Sequence, residues 1–545
     1  MNRFIGTFLF VHLIFSAGCF SNGEDAELKL RSRKECKCAP MDVTAWQKRD
    51  TDRTGHTGGE INIGIESEPG LLLSMYSAHP AVSRIIDHDV LEALVDLDSH
   101  TGEPVPELAS RWESDAQQRT YTFQLVNNGR WHDGQPFTAD DVVYTFEQLL
   151  DPAGGALNRS RFEDIAGVEA LNRYQIRFQL DYPRPNFLAD ISRVMILPEH
   201  LLRNTTVATN PFARAPVGTG PFVFHEWTSG HHIVIEKNAH WRGKAPYLDR
   251  ITYRTVPERR VAEELFSTGR LDIVSDVMDT SRKDAIILNT PQDQLNAWVF
   301  NVHTPYFSDA ETRRAISMLF DRDAIACSIM NCLAKPVYSP WPEIKTDTDI
   351  LRFSPTRARQ LLNAAGWRDE NRDGILERQG IPFSFSLLLP DTDAAGTRAV
   401  AVILHDLRRI GIQVNTTVVS WAVYTDRLRR HRFDASILAV STAPPFDAAE
   451  LFHSDGIESG RNFGGFRDRK TDMLFDRLKV EQDINARDAL QHRISERLVL
   501  LQPMIFTLHP YRRILVQNRI HGVHIGSSGI VERELWTEAE GSQQR

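Results

Sequence analysis

The chain has 545 residues, 41% hydrophobic and 25% charged, which excludes a disordered or fibrous protein and, at this length, a single core; two to four domains are expected. A formal charge of -9 leaves no basic footprint, so nucleic acid is not an expected partner. Beyond the N-terminus no apolar run approaches the ~20 residues of a membrane span; the longest, 399–404, stops at His405 and Asp406.

Arg3 precedes an apolar run over residues 4–15, followed by Ser16-Ala17-Gly18-Cys19. This is the layout of an export signal. Small residues directly before Cys19 resemble a bacterial lipoprotein cleavage box, in which the cysteine is lipidated and heads the mature chain; Ser16 departs from the usual leucine, and ordinary cleavage or an uncleaved anchor are the alternatives. Cys36, Cys38, Cys327 and Cys332 remain, an even number for an oxidising compartment with three possible pairings. Cys327 and Cys332 can pair if the helix ends between them, and a four-cysteine metal site is the minority reading.

Residues 20–59 are polar, of mixed charge and without apolar periodicity, and read as a flexible tether. Ile61, Ile63 and Ile65 alternate as a strand, and residues 82–95 carry helical spacing. Leu108 and Trp112 suit a short amphipathic turn, whereas Tyr121, Phe123 and Leu125 alternate as a half-buried strand. Thr138 stands as the N-cap of a helix with Asp140 and Asp141 in its first turn.

Val217-Gly218-Thr219-Gly220-Pro221-Phe222 reads as a rigid turn feeding a strand and as a junction between domains. A phosphate loop is excluded because Pro221 removes a donor and strand, not helix, follows. Ser308 and Glu311 read as a capping box, and Ser354-Pro355 as N-cap and N1. Strand 383–389, a helix over 397–410 ended by Gly411, and strand 412–418 make a βαβ unit with parallel sheet.

Several blocks occur in order: Pro106-Glu107-Leu108-Ala109, Trp112 and His132-Asp133-Gly134 through Val142; Gly218-Thr219-Gly220-Pro221-Phe222 with Asn238, Trp241 and Gly243; Asn301, Asp309, Arg313 and Asp321-Arg322; Trp367; Phe433-Asp434; Asn462-Phe463. Together they resemble the extracellular solute-binding proteins of family 5, the oligopeptide-, dipeptide- and nickel-binding receptors of ABC importers. The resemblance implies an α/β, two-lobed periplasmic binding protein of type II, cluster C-like, with an extra inserted domain. Residues 1–19 are then the signal and 20–59 the tether; 60–103, 213–298 and 505–540 form a discontinuous first lobe, 104–212 the inserted domain and 299–504 the other lobe.

It also implies a monomer of the periplasm or cell envelope, working with ABC permease domains and without a cofactor; the box before Cys19 is what suggests that lipid holds it to a membrane. In peptide-binding relatives an acid shortly after a tryptophan holds the peptide ammonium. This chain has Val440 and Ala443 at those positions, so Asp447, beyond Pro444-Pro445, either takes that role or caps the helix that follows. Ser441, Thr442, Phe446, Asp447, Trp421 and Tyr424 are the expected ligand-facing residues, although aromatics at the spacing of the last two also suit a core.

No nucleophile elbow or zinc-protease motif occurs, so catalysis is not expected. Asp369-Glu370-Asn371-Arg372-Asp373-Gly374 resembles half of a calcium loop, but Gly380 stands at the twelfth position, and a plain turn is expected. His231 and His232 point to opposite faces of a strand and cannot chelate together. The expected activity is capture of a peptide-like solute in a cleft by hinge closure. Alternatives are a receptor for a nickel chelate, sugar or other small solute, an exported hydrolase, or a sensory or chaperone module on the same scaffold.

Overall fold

The computed structural model describes residues 55–538 except 78, 99–101, 158, 185, 204, 278–284, 392–396, 443–445, 460, 482 and 527–528. The signal, Cys19, Cys36, Cys38 and nearly all of the tether therefore lie outside the described residues. The chain forms two compact units: one runs to Thr290 and resumes at Arg512, the other is Pro291–Tyr511. Among the described residues no helix is long and apolar enough to cross a membrane.

In the first unit the strand order is residues 514–516, Ile273–Ser275, Glu60–Ile65, Arg250–Thr255, His232–Lys237, Phe222–Thr228. Glu60–Ile65 pairs in parallel with Arg250–Thr255, and Ile61, Ile63 and Ile65 bury one face as their alternation predicts. A second, antiparallel sheet has the order Ala109–Ser114, Thr120–Leu125, Gln175–Leu180, Ile165–Asn172, with the helix Ala139–Leu150 packed on its last two strands. Tyr121, Phe123 and Leu125 are buried there, and Phe178 meets Phe123 and Phe146 edge-on at 5.5 and 4.8 Å.

Two readings in this unit are corrected. Leu108 and Trp112 do not share a helical turn: Trp112 lies in strand Ala109–Ser114, opposite Phe123 at 6.4 Å between ring centres. The helix expected over 82–95 is only Pro80–Ile86, because His88 takes a left-handed conformation at φ 67° and its amide turns back to the Leu91 carbonyl at 2.7 Å. Carbonyls that would have continued the helix, those of Asp89 and Val90, instead accept from Phe222 and Gly220 at 2.9 and 3.0 Å. A long-range partner outcompeted the local periodicity.

In the second unit the order is Gln413–Val419, Ser384–Pro390, Ala435–Ser441, Gln294–Phe300, and then the first part of Met504–Gln517. The βαβ unit forms as expected: Ser384–Pro390 and Gln413–Val419 run parallel, joined by Thr397–Ile410, and Gly411 stops the helix at φ 98°. Ser354 caps Pro355–Ala364, its hydroxyl accepting from Arg357 N at 3.3 Å. The cap of helix Ala310–Ser317 is Asp309 rather than Ser308, since Asp309 Oδ1 reaches Thr312 N at 2.7 Å. Cys327 and Cys332 are both disulfide-bonded, which overturns the thiolate metal site.

Two arginines of the signature blocks pin this unit from within. Arg313, 4% exposed, donates to the carbonyls of Phe307, Leu501 and Gln502; Arg322, 2% exposed, donates to those of Ser317 and Phe506. Each guanidinium collects main-chain carbonyls from separate segments, which satisfies both sides of a costly burial.

Candidate functional site

In the first unit the turn at 217–222 is clamped between two other signature segments. His132 N donates to Gly218 O at 2.8 Å, Gly218 N donates to His132 Nδ1 at 3.1 Å, and His132 Nε2 faces Gly220 O at 3.1 Å. Asn238 Nδ2 reaches the same carbonyl at 2.9 Å. Neither glycine has a positive φ, so the expected turn geometry is not the reason for them. A Cβ on Gly218 would strike the Val90 carbonyl oxygen and sit 2.5 Å from its carbon; one on Gly220 would lie 2.8 Å from the Asp89 carbon. Close backbone approach is what excludes side chains.

Burial, partly opposed by the contact with Gly220, pulls His132 down to about 4. A histidine depressed in the folded state contributes stability that is present above its ordinary value near 6.5 and lost as pH falls through about 4. Urea unfolding between pH 7 and pH 4 is therefore expected to show a loss of stability that shrinks in His132→Asn. An equal loss in both proteins would remove His132 as its source.

The ligand-facing residues expected from the sequence all lie in the second unit, at one end of its parallel strands. Ser384–Pro390, Gln413–Val419 and Ala435–Ser441 point the same way, and their carboxyl ends give onto Asp391, Trp421 and Ser441. In open α/β sheets ligands bind outside such ends. Ser441 and Thr442 are half-buried, with Thr442 N donating to Asp293 O at 2.9 Å. Phe446 packs against the neighbouring core and Asp447 is exposed. Asp447 Oδ1 accepts from Ala449 N at 2.8 Å, an Asx-type turn at the entry to helix Ala449–Phe452, whose N-cap is Ala448.

Trp421 stacks on Tyr424 at 5.4 Å. Tyr424 is 3% exposed, and its hydroxyl donates to Ile437 O at 2.6 Å while accepting from Ser436 Oγ at 3.1 Å, so it ties helix Trp421–Arg429 to strand Ala435–Ser441. Burial raises it well above the ordinary tyrosine range. The residues between Thr442 and Phe446, including Ala443, lie outside the described residues.

Elsewhere, the acidic turn after Trp367 satisfies itself: Gly374 N donates to Asp369 Oδ2 at 3.1 Å and Ile375 N to Asp373 Oδ1 at 2.8 Å. His232 faces Glu226 at 2.9 Å.

The first unit also holds a cavity of about 850 Å³, lined among others by Trp241, Tyr247, Trp536, Arg242, Asp96 and Glu107, which sequence reasoning missed. Arg242 grips the buried Glu92 with two bonds of 2.6 Å and reaches Glu107 O at 3.2 Å. Burial pushes the Glu92 carboxyl up while Arg242 pulls it back, and the net is upward. Beside it His88 Nδ1 contacts Glu107 Oε1 at 2.9 Å, with Asp96 Oδ1 at 3.7 Å. Burial would lower His88, but Glu107 first, then Asp96 and Asp87, override it and raise it to about 10. Only the left-handed His88 and the pairing of Val95–Leu97 with Pro104–Pro106 bring these three together, so no spacing motif announces them.

The family model of the bacterial extracellular solute-binding proteins, family 5 Middle, matches residues 103–460. The oligopeptide-binding protein AppA of Bacillus subtilis is 29% identical over 485 residues, 85% of this chain and 89% of that protein. Its structure in complex with a nonapeptide superposes with a TM-score of 0.71 at 26% identity, over 89% of this chain and 100% of that one. NikA of Brucella suis, solved with Fe(III)-EDTA, is similar in fold, with a TM-score of 0.76 at 22% identity over 88% of this chain and 100% of that one.

Proposed function

Because the chain belongs to the bacterial extracellular solute-binding proteins of family 5, we propose that it is the peptide receptor of an ABC importer. The observation that carries this reading is the likeness to AppA, an oligopeptide-binding protein, along nearly the whole of both chains. We further propose that the mature protein is a monomer without enzymatic activity, anchored by lipid at Cys19, with the first unit divided into a discontinuous lobe and the inserted domain 104–212. Solute preferring one of two conformations shifts the population toward it, and the permease reads that conformation.

Asp447 is the group proposed to receive a peptide ammonium, since it is exposed at the carboxyl end of the parallel strands. Asn makes the same Asx-type turn as Asp, so Asp447→Asn keeps the contact to Ala449 and removes only charge. By calorimetry, short peptides with free amino termini are expected to bind this variant about 10- to 100-fold more weakly, the range of a charge-assisted hydrogen bond. N-acetylated peptides should bind both proteins alike. Equal affinity of the two proteins for free-amine peptides would sink the assignment of Asp447.

Ala443, where peptide-binding relatives are expected to carry an acid, favours a second reading, a receptor for a non-peptide solute. Native mass spectrometry of the mature protein from its own envelope separates the two. A series of short peptide masses supports the first; a single non-peptide mass supports the second.

A further inference from the structure

We propose that His88, Asp96 and Glu107 form a binding site for a divalent first-row transition ion whose remaining coordination positions open into the cavity of the first unit. One ligating atom from each residue lies within 4.8 Å of the other two, and Nδ1 of His88 stands 2.9 Å from Glu107 Oε1 and 3.7 Å from Asp96 Oδ1. Donors bound to such an ion at about 2.1 Å in tetrahedral array lie about 3.4 Å apart, so the observed separations bracket that value. An imidazole with two carboxylates is the donor set of zinc, manganese, iron and cobalt rather than of calcium or magnesium.

The carboxylates are held from behind. Arg533 donates to Asp96 Oδ2 at 2.8 Å and Leu97 N to Asp96 Oδ1 at 2.7 Å, while Ala93 N donates to Glu107 Oε2 at 2.9 Å, which fixes both carboxylates against the imidazole, with both Glu107 oxygens within 3.0 Å of Nδ1. Outer contacts of this kind orient metal ligands. His88 is itself fixed by its left-handed backbone and the bond from its amide to Leu91 O. Asp96 and Glu107 both line the cavity, which supplies an entry path and room for water ligands. In the metal-free chain Nδ1 carries the proton shared with Glu107; on binding, that N–H bond breaks, the nitrogen pair is given to the ion, and the proton leaves to solvent. Two carboxylates and a neutral imidazole then balance the charge of the divalent ion.

The test is titration of the chelator-stripped mature protein with Co²⁺ and with Zn²⁺, by calorimetry and by the visible absorption of the Co²⁺ form. The variants are His88→Asn, whose side chain tolerates the left-handed backbone, and Asp96→Asn. Circular dichroism establishes that each is folded. One ion per chain is expected for the parent, with affinity at least about 100-fold lower in both variants. Absence of stoichiometric binding to the parent overturns the proposal. So does undiminished binding in either folded variant, which places the ion elsewhere, as a metal chelate carried as cargo would be.

Discussion

Gly218→Ala is expected to destabilise the first unit by on the order of 3–5 kcal/mol, at the upper end of what single substitutions do. The new methyl would meet the Val90 carbonyl, and that oxygen already accepts from Gly220 N at 3.0 Å. Backbone on both sides must therefore move, and with it the bonds from His132 to Gly218 and Gly220. Gly167→Ala is the control, since Gly167 has open space where its Cβ would point and no positive φ. Urea unfolding followed by tryptophan fluorescence should show the first variant shifted and the second near the parent. Coincident midpoints for the two variants would mean that the close approach is absorbed without cost, and the account of this turn would fall.

Glu92→Leu is expected to cost about 3–5 kcal/mol, because it leaves the mostly buried Arg242 guanidinium without its carboxylate. Glu92 is 1% exposed, and the pair binds the ends of segments far apart in sequence. The double variant Glu92→Leu, Arg242→Met should recover most of the loss, since replacing both members of a buried pair by apolar groups is often close to neutral. Recovery distinguishes an ion pair that costs as much to bury as it returns from one that drives folding. If the double variant is as unstable as the single, Arg242 is stabilising through its bonds to Glu107 O and Thr219 O instead.

The segments that revealed the family in the sequence carry internal fastenings. His132 clamps the 217–222 turn, Arg313 and Arg322 gather main-chain carbonyls, Asn301 donates to the carbonyls of His431 and Phe433, and Trp367 donates to Thr312 while stacking on Phe383 at 4.1 Å. Most of these partners are backbone atoms, whose positions the fold fixes. A ligand-facing side chain has no such obligation, so the chain is legible as a solute-binding protein while the residues that would select its solute are not.

Features that depend on neighbours a few residues away were legible in the chain. Alternation placed Ile61, Ile63 and Ile65 on one face, a helix stopped by Gly411 gave the βαβ crossover, and Thr138 and Ser354 began their helices where caps predict. Tertiary structure alone decided what depends on distant backbone. The carbonyls of Asp89 and Val90 turned to the 217–222 segment and cut the helix short at Ile86, and Trp112 went to a strand opposite Phe123. The same long-range choice set His88 against Asp96 and Glu107, since a residue's own propensity is worth tenths of a kcal/mol and a set of buried hydrogen bonds is worth several times that.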